Sequence, residues 1–407
     1  MTDDHTASQG VLTVISSIGV CVFDNNEVIL TKKFTEAMEA YARKWNGPVR
    51  IIQQQNKQTS DDMDNQRIDR AQLSFEIIVV DFESDNMEEY LKGSALVLVA
   101  VGYQLNNISK ICNTLSIPCI YVSEFTLRAR LQSLYQNTKN PLRLFYSTCW
   151  NINQERKQRK AIALAQGLCA NGVPTYHAYK HLTPHPFLYF DNRILEEDFI
   201  SPEQLNTRLS SLNEKRPIRL AFSGRLIKMK GVDHLVPLCC EMDKHSLAYS
   251  MTIFGSGKLE QHIKNQIEQA HIGDRVHMTG ALDFRNELLP TLQNEIDLFV
   301  CCHVQGDPSH TYLEILSCGL PIVGYNNEAF EGLLHFSDMD LGRSAPMGNK
   351  KALAKQIQLL DQNRALLASM SKNARSFATE HCFNKSFDRR IQHMSMIATL
   401  PREATHG

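Results

Sequence analysis

Short apolar runs separated by amphipathic stretches organise this chain. In the first half, Val11–Ser16, Val49–Gln53, Phe75–Val80, Ala95–Val101 and Cys119–Val122 have the length and β-branched content of strands. Between the first two, Phe34, Ala37, Met38, Tyr41, Ala42 and Trp45 recur at three- and four-residue spacing, which predicts a helix. A second helix is predicted over Leu105–Leu115, while Gln55–Gln72 is polar, lacks a period and reads as a long loop. A helix is predicted over Glu155–Leu168, with Ala161, Ile162, Ala165 and Leu168 as its apolar side. The Pro-, His- and aromatic-rich stretch after it reads as irregular, with one short strand at Phe187–Phe190. The polar segment 196–215 is expected to link two domains.

A second series then begins. Strands are predicted at Ile218–Phe222, Ser250–Phe254, Val276–Thr279, Leu298–His303 and Ile322–Gly324. Helices are predicted at Val232–Glu241, Leu259–Gln269, Glu287–Asn294 and Thr311–Cys318, and Leu353, Ile357 and Leu360 form a later helical face. Such alternation gives βα units and mostly parallel sheets, so two α/β domains are expected to face one another.

Composition narrows the function classes. The length of 407 residues suits two or three domains. Lys+Arg 43 against Asp+Glu 44 leaves no chain-wide positive field, so no nucleic-acid partner is expected and any anion site must be local. The cysteine count, 11, is odd, no CxxC pair occurs, and most of these thiols sit in apolar runs, as in a reducing compartment. The start, MTDDHTASQG, lacks the basic end and apolar core of a signal peptide, and Ala95–Val101 is far shorter than a span of roughly 18–20 residues. A cytoplasmic location is therefore expected, with the inner face of a membrane as an extension of it. His177, His181 and His185 lie at four-residue intervals, but Pro184 and Pro186 interrupt any shared helix, so these read as loop histidines and no metal site is expected.

Open parallel sheets bind ligands outside the carboxyl ends of their strands. Four unusual sequences fall at such ends: Ser223-Gly224-Arg225-Leu226 with Lys230-Gly231 close behind, Gly255-Ser256-Gly257, Gly280, and His303 through Ser309. Glycine lets backbone approach a ligand, arginine offers a two-pronged donor and lysine a compact charge, which together suit a diphosphate. The predicted helix at Thr311 would point its unpaired N–H groups at the same opening. Glu314, about one turn into it, could accept from a ribose diol. Taken singly, Arg225 and Lys230 would read as solvated loop charges.

The succession Ser223–Gly231, Ile253–Gly257, Met278–Gly280, Asp297–Val300 and Tyr312–Val323 resembles the carboxy-terminal domain of retaining GT-B glycosyltransferases of the family-four type, glycosyl transferases group 1. The resemblance covers roughly residues 216–377; the first half shares only its strand–helix rhythm. It implies an α/β GT-B fold of two facing Rossmann-like domains with parallel sheets. The first domain would span 1–195, a linker 196–215 and the nucleotide-sugar domain 216–377, with 378–407 carrying a helix back to the first domain and a tail. It also implies transfer of a hexosyl-type group, with retention, from a nucleotide-diphosphate sugar to a carbohydrate or glycolipid hydroxyl, in envelope polysaccharide or glycolipid synthesis. No cofactor or metal would be needed beyond that donor.

Position by position, the resemblance assigns Arg225 and Lys230 to the diphosphate, with Gly224, Gly255 and Gly257 as close backbone, Gly280 to the turn near the base and Glu314 to the ribose. Gly306 stands where the family carries the first Glu of its E-x7-E motif, with Asp307 beside it. Either Asp307 holds the donor sugar with a shorter side chain or that role is gone; Asp307-Pro308-Ser309 also reads as a turn with Ser309 as helix cap. His303 and His310 flank this loop and are candidates for substrate contact. In the first half, Gly19 in Ser17-Ile18-Gly19 resembles the family's loop near the diphosphate, and Gly102-Tyr103 would face the cleft. Glu124 could orient or deprotonate an acceptor hydroxyl, or serve as a first-turn charge of the helix carrying Leu127 and Leu131. The run Arg156-Lys157-Gln158-Arg159-Lys160 could lie on anionic lipid as a peripheral membrane contact, or form a solvated helix face.

Rival classes make different demands. A dehydrogenase wants G-x-G-x-x-G at its first βα turn, and SSIGVC does not supply it. A nucleotide-sugar epimerase on the same scaffold, or a sugar-nucleotide-binding protein with lapsed catalysis, remains open.

Overall fold

A computed structural model describes residues 8–23, 25–56, 65–83, 87–212, 216–306 and 310–400. Among the described residues, ten strands lie in the first half: β1 (Val11–Ile15), β2 (Cys21–Val22), β3 (Glu27–Thr31), β4 (Val49–Gln54), β5 (Asn65–Asp69), β6 (Glu76–Val80), β7 (Ser94–Ala100), β8 (Cys119–Ser123), β9 (Gly167–Asn171) and β10 (His185–Tyr189). Seven form a parallel sheet in the order β10-β9-β8-β7-β1-β4-β6, and β2, β3 and β5 form a small antiparallel sheet. β7 is buried along most of its length, which explains why its sequence is continuously apolar rather than alternating. The helix Lys32–Lys44 is capped by Thr31, whose hydroxyl accepts from the N–H of Phe34, and it lays Phe34, Met38 and Tyr41 on the sheet.

The second half holds β11 (Ile218–Ser223), β12 (Tyr249–Phe254), β13 (Val276–Gly280), β14 (Leu298–Cys301), β15 (Ile322–Tyr325) and β16 (Gly342–Ala345), parallel in the order β13-β12-β11-β14-β15-β16. In each parallel sheet the first strand lies between later ones, β1 between β7 and β4, β11 between β12 and β14. At such a reversal the connections leave to opposite sides and open a crevice at the carboxyl ends. The loops after β1 and β11 therefore occupy the two natural binding positions.

Several segments differ from the sequence expectation. Within Gln55–Gln72, residues 65–69 form β5, pairing antiparallel with β3 so that Arg67 meets Glu27 as an ion pair. The helix expected from Glu155 starts at Pro141, capped by Asn140, and ends at Ala163, after which 167–171 are β9. Val173–Tyr179 is helical where irregular chain was expected, with Pro174 in its first turn, where a missing N–H costs nothing.

Segment 196–215 carries the helix Pro202–Ser211, opened by a reciprocal cap between Ser201 and Gln204. Its Leu205 and Leu209, with Leu212, enter the second core, so this stretch packs as part of that half. Arg208, buried, donates to the carbonyls of Gln293, Cys318 and Gly319, satisfying the end of a neighbouring helix. Burial pushes its pKa down to about 10. At the other end, Arg364–Glu380 packs on the second half, and Phe383–Ala398 returns to bury Phe387, Ile391, Met394 and Ile397 in the first core.

Candidate active site

The strand ends of the second sheet meet through backbone. The N–H of Gly224 donates to the carbonyl of Phe254, Leu226 to Ser256, and Gly255 to Gly280 (3.1, 2.8 and 2.7 Å). Two glycines are required by this closeness. A Cβ on Gly255, which has φ +123°, would lie 2.1 Å from the Gly224 carbonyl oxygen, and one on Gly231, φ +63°, 1.9 Å from that of Cys302. The N–H of Val304 donates to Met229, so the loop after β14 lies against the turn that bears Lys230. That turn, Lys228–Lys230, packs against the helix Leu127–Asn137 of the first half. Arg225 is exposed. The structure thus brings Gly224, Arg225, Lys230, Gly255, Gly257, Gly280 and the start of the His303 loop to one end of one sheet.

Three sequence-chosen residues, Asp307, Pro308 and Ser309, lie outside the described residues. His303 is wholly buried rather than presented to a ligand, and both ring nitrogens lack a partner. Burial, reinforced by the nearby charge of Lys230, holds its pKa well below the ordinary imidazole value, so the ring is neutral. Glu314 is engaged by Arg193, whose Nε lies 2.8 Å from Oε1 and whose guanidinium covers the ring of Phe284. A ribose at Glu314 would have to share or displace that partner.

In the first half, a cavity of about 450 Å³ opens at the ends of β1, β7, β8 and β10, lined among others by Ser16, Tyr103, Glu124, Trp150 and Asp191. Gly19 closes the loop after β1, where a Cβ would strike the side chain of Asn56. Glu124 opens to cleft water but is walled by protein. The loss of bulk hydration, helped by nearby Asp191, raises its pKa, while Lys33, His310 and Arg390 oppose the rise.

The two halves meet at this cavity. Lys33 Nζ lies 2.8 Å from Asp191 Oδ2 and 2.6 Å from His310 Nε2. Burial alone would raise the pKa of Asp191, but His310 and Lys33 outweigh it and hold the carboxyl well below the usual range. Further contacts are the hydroxyl of Thr126 donating to Glu328 and the N–H of Gly306 to Gln132 (2.8 and 3.2 Å). Lys33 and Asp191 carry no motif. Asp191 directly follows the strand expected at Phe187–Phe190, and the strand-end rule that found Arg225 would have found it. Lys33 gave no sequence signal. Among the described residues no group of three or more His, Cys, Asp or Glu is arranged to hold a metal ion.

Residues 204–377 match the family model described as glycosyl transferases group 1. The chain is 26% identical over 173 residues to the amylovoran biosynthesis glycosyltransferase AmsK of Erwinia amylovora, covering 41% of each chain. It is 23% identical over 220 residues to the GtfA subunit of the UDP-N-acetylglucosamine–peptide N-acetylglucosaminyltransferase of Streptococcus pneumoniae, covering 48% of this chain and 42% of that one. The matches thus span about four-tenths of the length of these curated relatives. By fold, the chain is similar to Anabaena HepE solved with UDP, at a TM-score of 0.65 and 12% identity, covering 96% of this chain and 100% of that one.

Proposed function

This GT-B chain carries a glycosyl transferases group 1 domain, and we propose that it moves a hexosyl-type group, with retention, from a nucleotide-diphosphate sugar to a saccharide hydroxyl. The donor diphosphate occupies the ends of β11 and β12, beside Arg225 and Lys230, and the acceptor occupies the first-half cavity. The observation that carries this reading is the meeting of the two switch points: the glycine-lined end of β11 and the cavity after β1 belong to halves joined by Lys33, Asp191 and His310. The solved neighbour HepE holds UDP, which supports the same donor class.

The chemistry follows from charge. As the bond between the anomeric carbon and the phosphate oxygen breaks, negative charge grows on the diphosphate, and Arg225 and Lys230 stabilise it. The acceptor oxygen bonds the anomeric carbon on the face the leaving group vacates, and its proton passes to that departing phosphate. Glu124 orients the hydroxyl. No protein nucleophile is needed.

The acceptor is drawn toward a lipid surface. On the helix Pro141–Ala163, Leu142, Phe145 and Tyr146 are 81%, 72% and 72% exposed, and Arg156, Lys157 and Lys160 follow, all exposed. Apolar and cationic side chains together on solvent-facing turns fit an anionic membrane surface, with envelope glycolipid or polysaccharide precursors as substrates. No helix among the described residues is long and apolar enough to cross a membrane. Incubation with a nucleotide-sugar panel and saccharide acceptors tests the reading. A glycoside of the donor's own anomeric configuration is expected, whereas free nucleotide diphosphate without any glycoside would favour an epimerase.

A further inference from the structure

We propose that the first-half cavity selects an acceptor bearing an oxyanion, a sugar carboxylate or phosphate, and that Arg390 is the residue that binds it. The inference rests on the cavity being the acceptor site and adds to it the chemical class of the acceptor.

Arg390 lies on the returning helix Phe383–Ala398 and lines the cavity. Its guanidinium carbon stands 4.4 Å from the ring centre of Tyr189 and 5.4 Å from that of Tyr41. Those rings fix the position of the planar group. Its Nε is buried without a hydrogen-bond partner, and among the described residues it forms no ion pair. The cations lining the cavity are Lys33, Arg130 and Arg390, and the carboxylates are Glu124 and Asp191. Lys33 is taken by Asp191, and Arg130 by Glu155 beneath the wall. Among the described residues, the neutral thiol of Cys169 is within hydrogen-bond reach of Arg390, and every carboxylate lies beyond ion-pair distance. A guanidinium held away from bulk water without an anion is costly, and a ligand oxyanion would relieve that cost with charge-assisted hydrogen bonds.

The wall also holds other unsatisfied polar atoms. Tyr41 Oη, Gln154 Oε1, Gln158 Nε2 and Arg130 Nε are all buried and unpartnered. At about 450 Å³ the cavity has room for a polar, ring-sized ligand with one anionic group, which would reach the wall atoms only after those side chains turn toward it. Tyr103 and Trp150 stand edge to face at its mouth, 5.7 Å between ring centres, and offer apolar cover for a sugar face.

The test compares binding of glucuronate, glucose 6-phosphate and glucose to the full chain by calorimetry. The proteins are wild type, Arg390→Gln, Arg390→Lys and a double Arg225→Ala/Lys230→Ala variant that removes the donor-side cations. At least one charged sugar should bind about tenfold tighter than glucose. The preferred anion tells a carboxylate from a phosphate acceptor. The preference should survive in the double variant, persist in part in Arg390→Lys and vanish in Arg390→Gln. Equal affinity for glucose and both charged sugars in wild type overturns the proposal without need of any variant, as does a preference that Arg390→Gln retains. Anion-selective binding without transfer from any nucleotide sugar would refute the transferase reading while leaving this site standing. Transfer to neutral acceptors with no anion preference would do the reverse.

Discussion

Asp191, just past β10, places Oδ2 3.3 Å from Nε2 of His310 on the opposite half, and Lys33 Nζ lies 2.8 Å from the same carboxylate oxygen. The carboxylate owes its depressed pKa to this bridge, so its contribution to stability has a definite pH window. In the unfolded chain it protonates near pH 4, whereas in the folded chain it stays charged well below that. The contribution is complete above about pH 4 and is lost as pH falls through the lower, folded value. Asp191→Asn should therefore lower the urea midpoint at pH 7, and the gap from wild type should narrow at pH 3. A gap that widens on acidification would contradict the bridge.

Arg225→Ala and Lys230→Ala should each cut turnover by about 10²–10³-fold, the usual cost of removing one group that stabilises charge developing in the transition state. Arg225 is exposed and Lys230 half-buried on a turn, so melting temperatures should stay within a degree or two of wild type. Lost activity accompanied by an unfolded circular-dichroism spectrum would leave the charge argument without support.

Asp297 makes a structural prediction. Fully buried, it accepts from both Arg216 and Arg219, and although burial alone would raise its pKa, these bonds keep it below the ordinary value. Asp297→Asn leaves two guanidiniums without their anion, and denaturant unfolding at pH 7 should show a loss of about 3–5 kcal/mol. A loss below about 1 kcal/mol would mean that water or other groups replace the carboxylate freely.

Lipid contact is checked by co-sedimentation with vesicles of anionic and of zwitterionic phospholipid. The wild type should bind the anionic vesicles, more weakly at high salt. Replacing Leu142, Phe145 and Tyr146 by Ser, or Arg156, Lys157 and Lys160 by Gln, should each weaken binding at least tenfold. Equal partition of all forms would dismiss this helix as the docking element.

Much of the second half was legible because its strands are short and apolar and three of them, β11, β12 and β13, run into glycine. The ends of β11 and β12 could be placed within a residue, and the loops that meet there stand out by glycine and charge at predicted strand ends. The first half was less readable for physical reasons. The helix from Pro141 turns apolar residues to solvent, so its apolar positions do not mark an inward face. β9 reads Gly-Leu-Cys-Ala-Asn and is set by its neighbours rather than by β-propensity. Arg208 looks like an ordinary helix charge until its four carbonyl partners, brought from 84 to 111 residues away, are seen around it. Lys33, Asp191 and Arg390 become a cluster only when three distant segments meet at the cavity, and no local pattern encodes that.

The most direct test of the central claim is the thermal shift of wild type and of the double Arg225→Ala/Lys230→Ala variant across a panel of uridine, guanosine and adenosine diphosphate sugars. A ligand that binds only the folded state at 100 times its dissociation constant adds about 2.7 kcal/mol, enough to move the midpoint by several degrees. At least one donor should stabilise wild type and leave the variant unmoved. If no nucleotide sugar shifts wild type, or if the variant shifts equally, the diphosphate is not held by these two side chains.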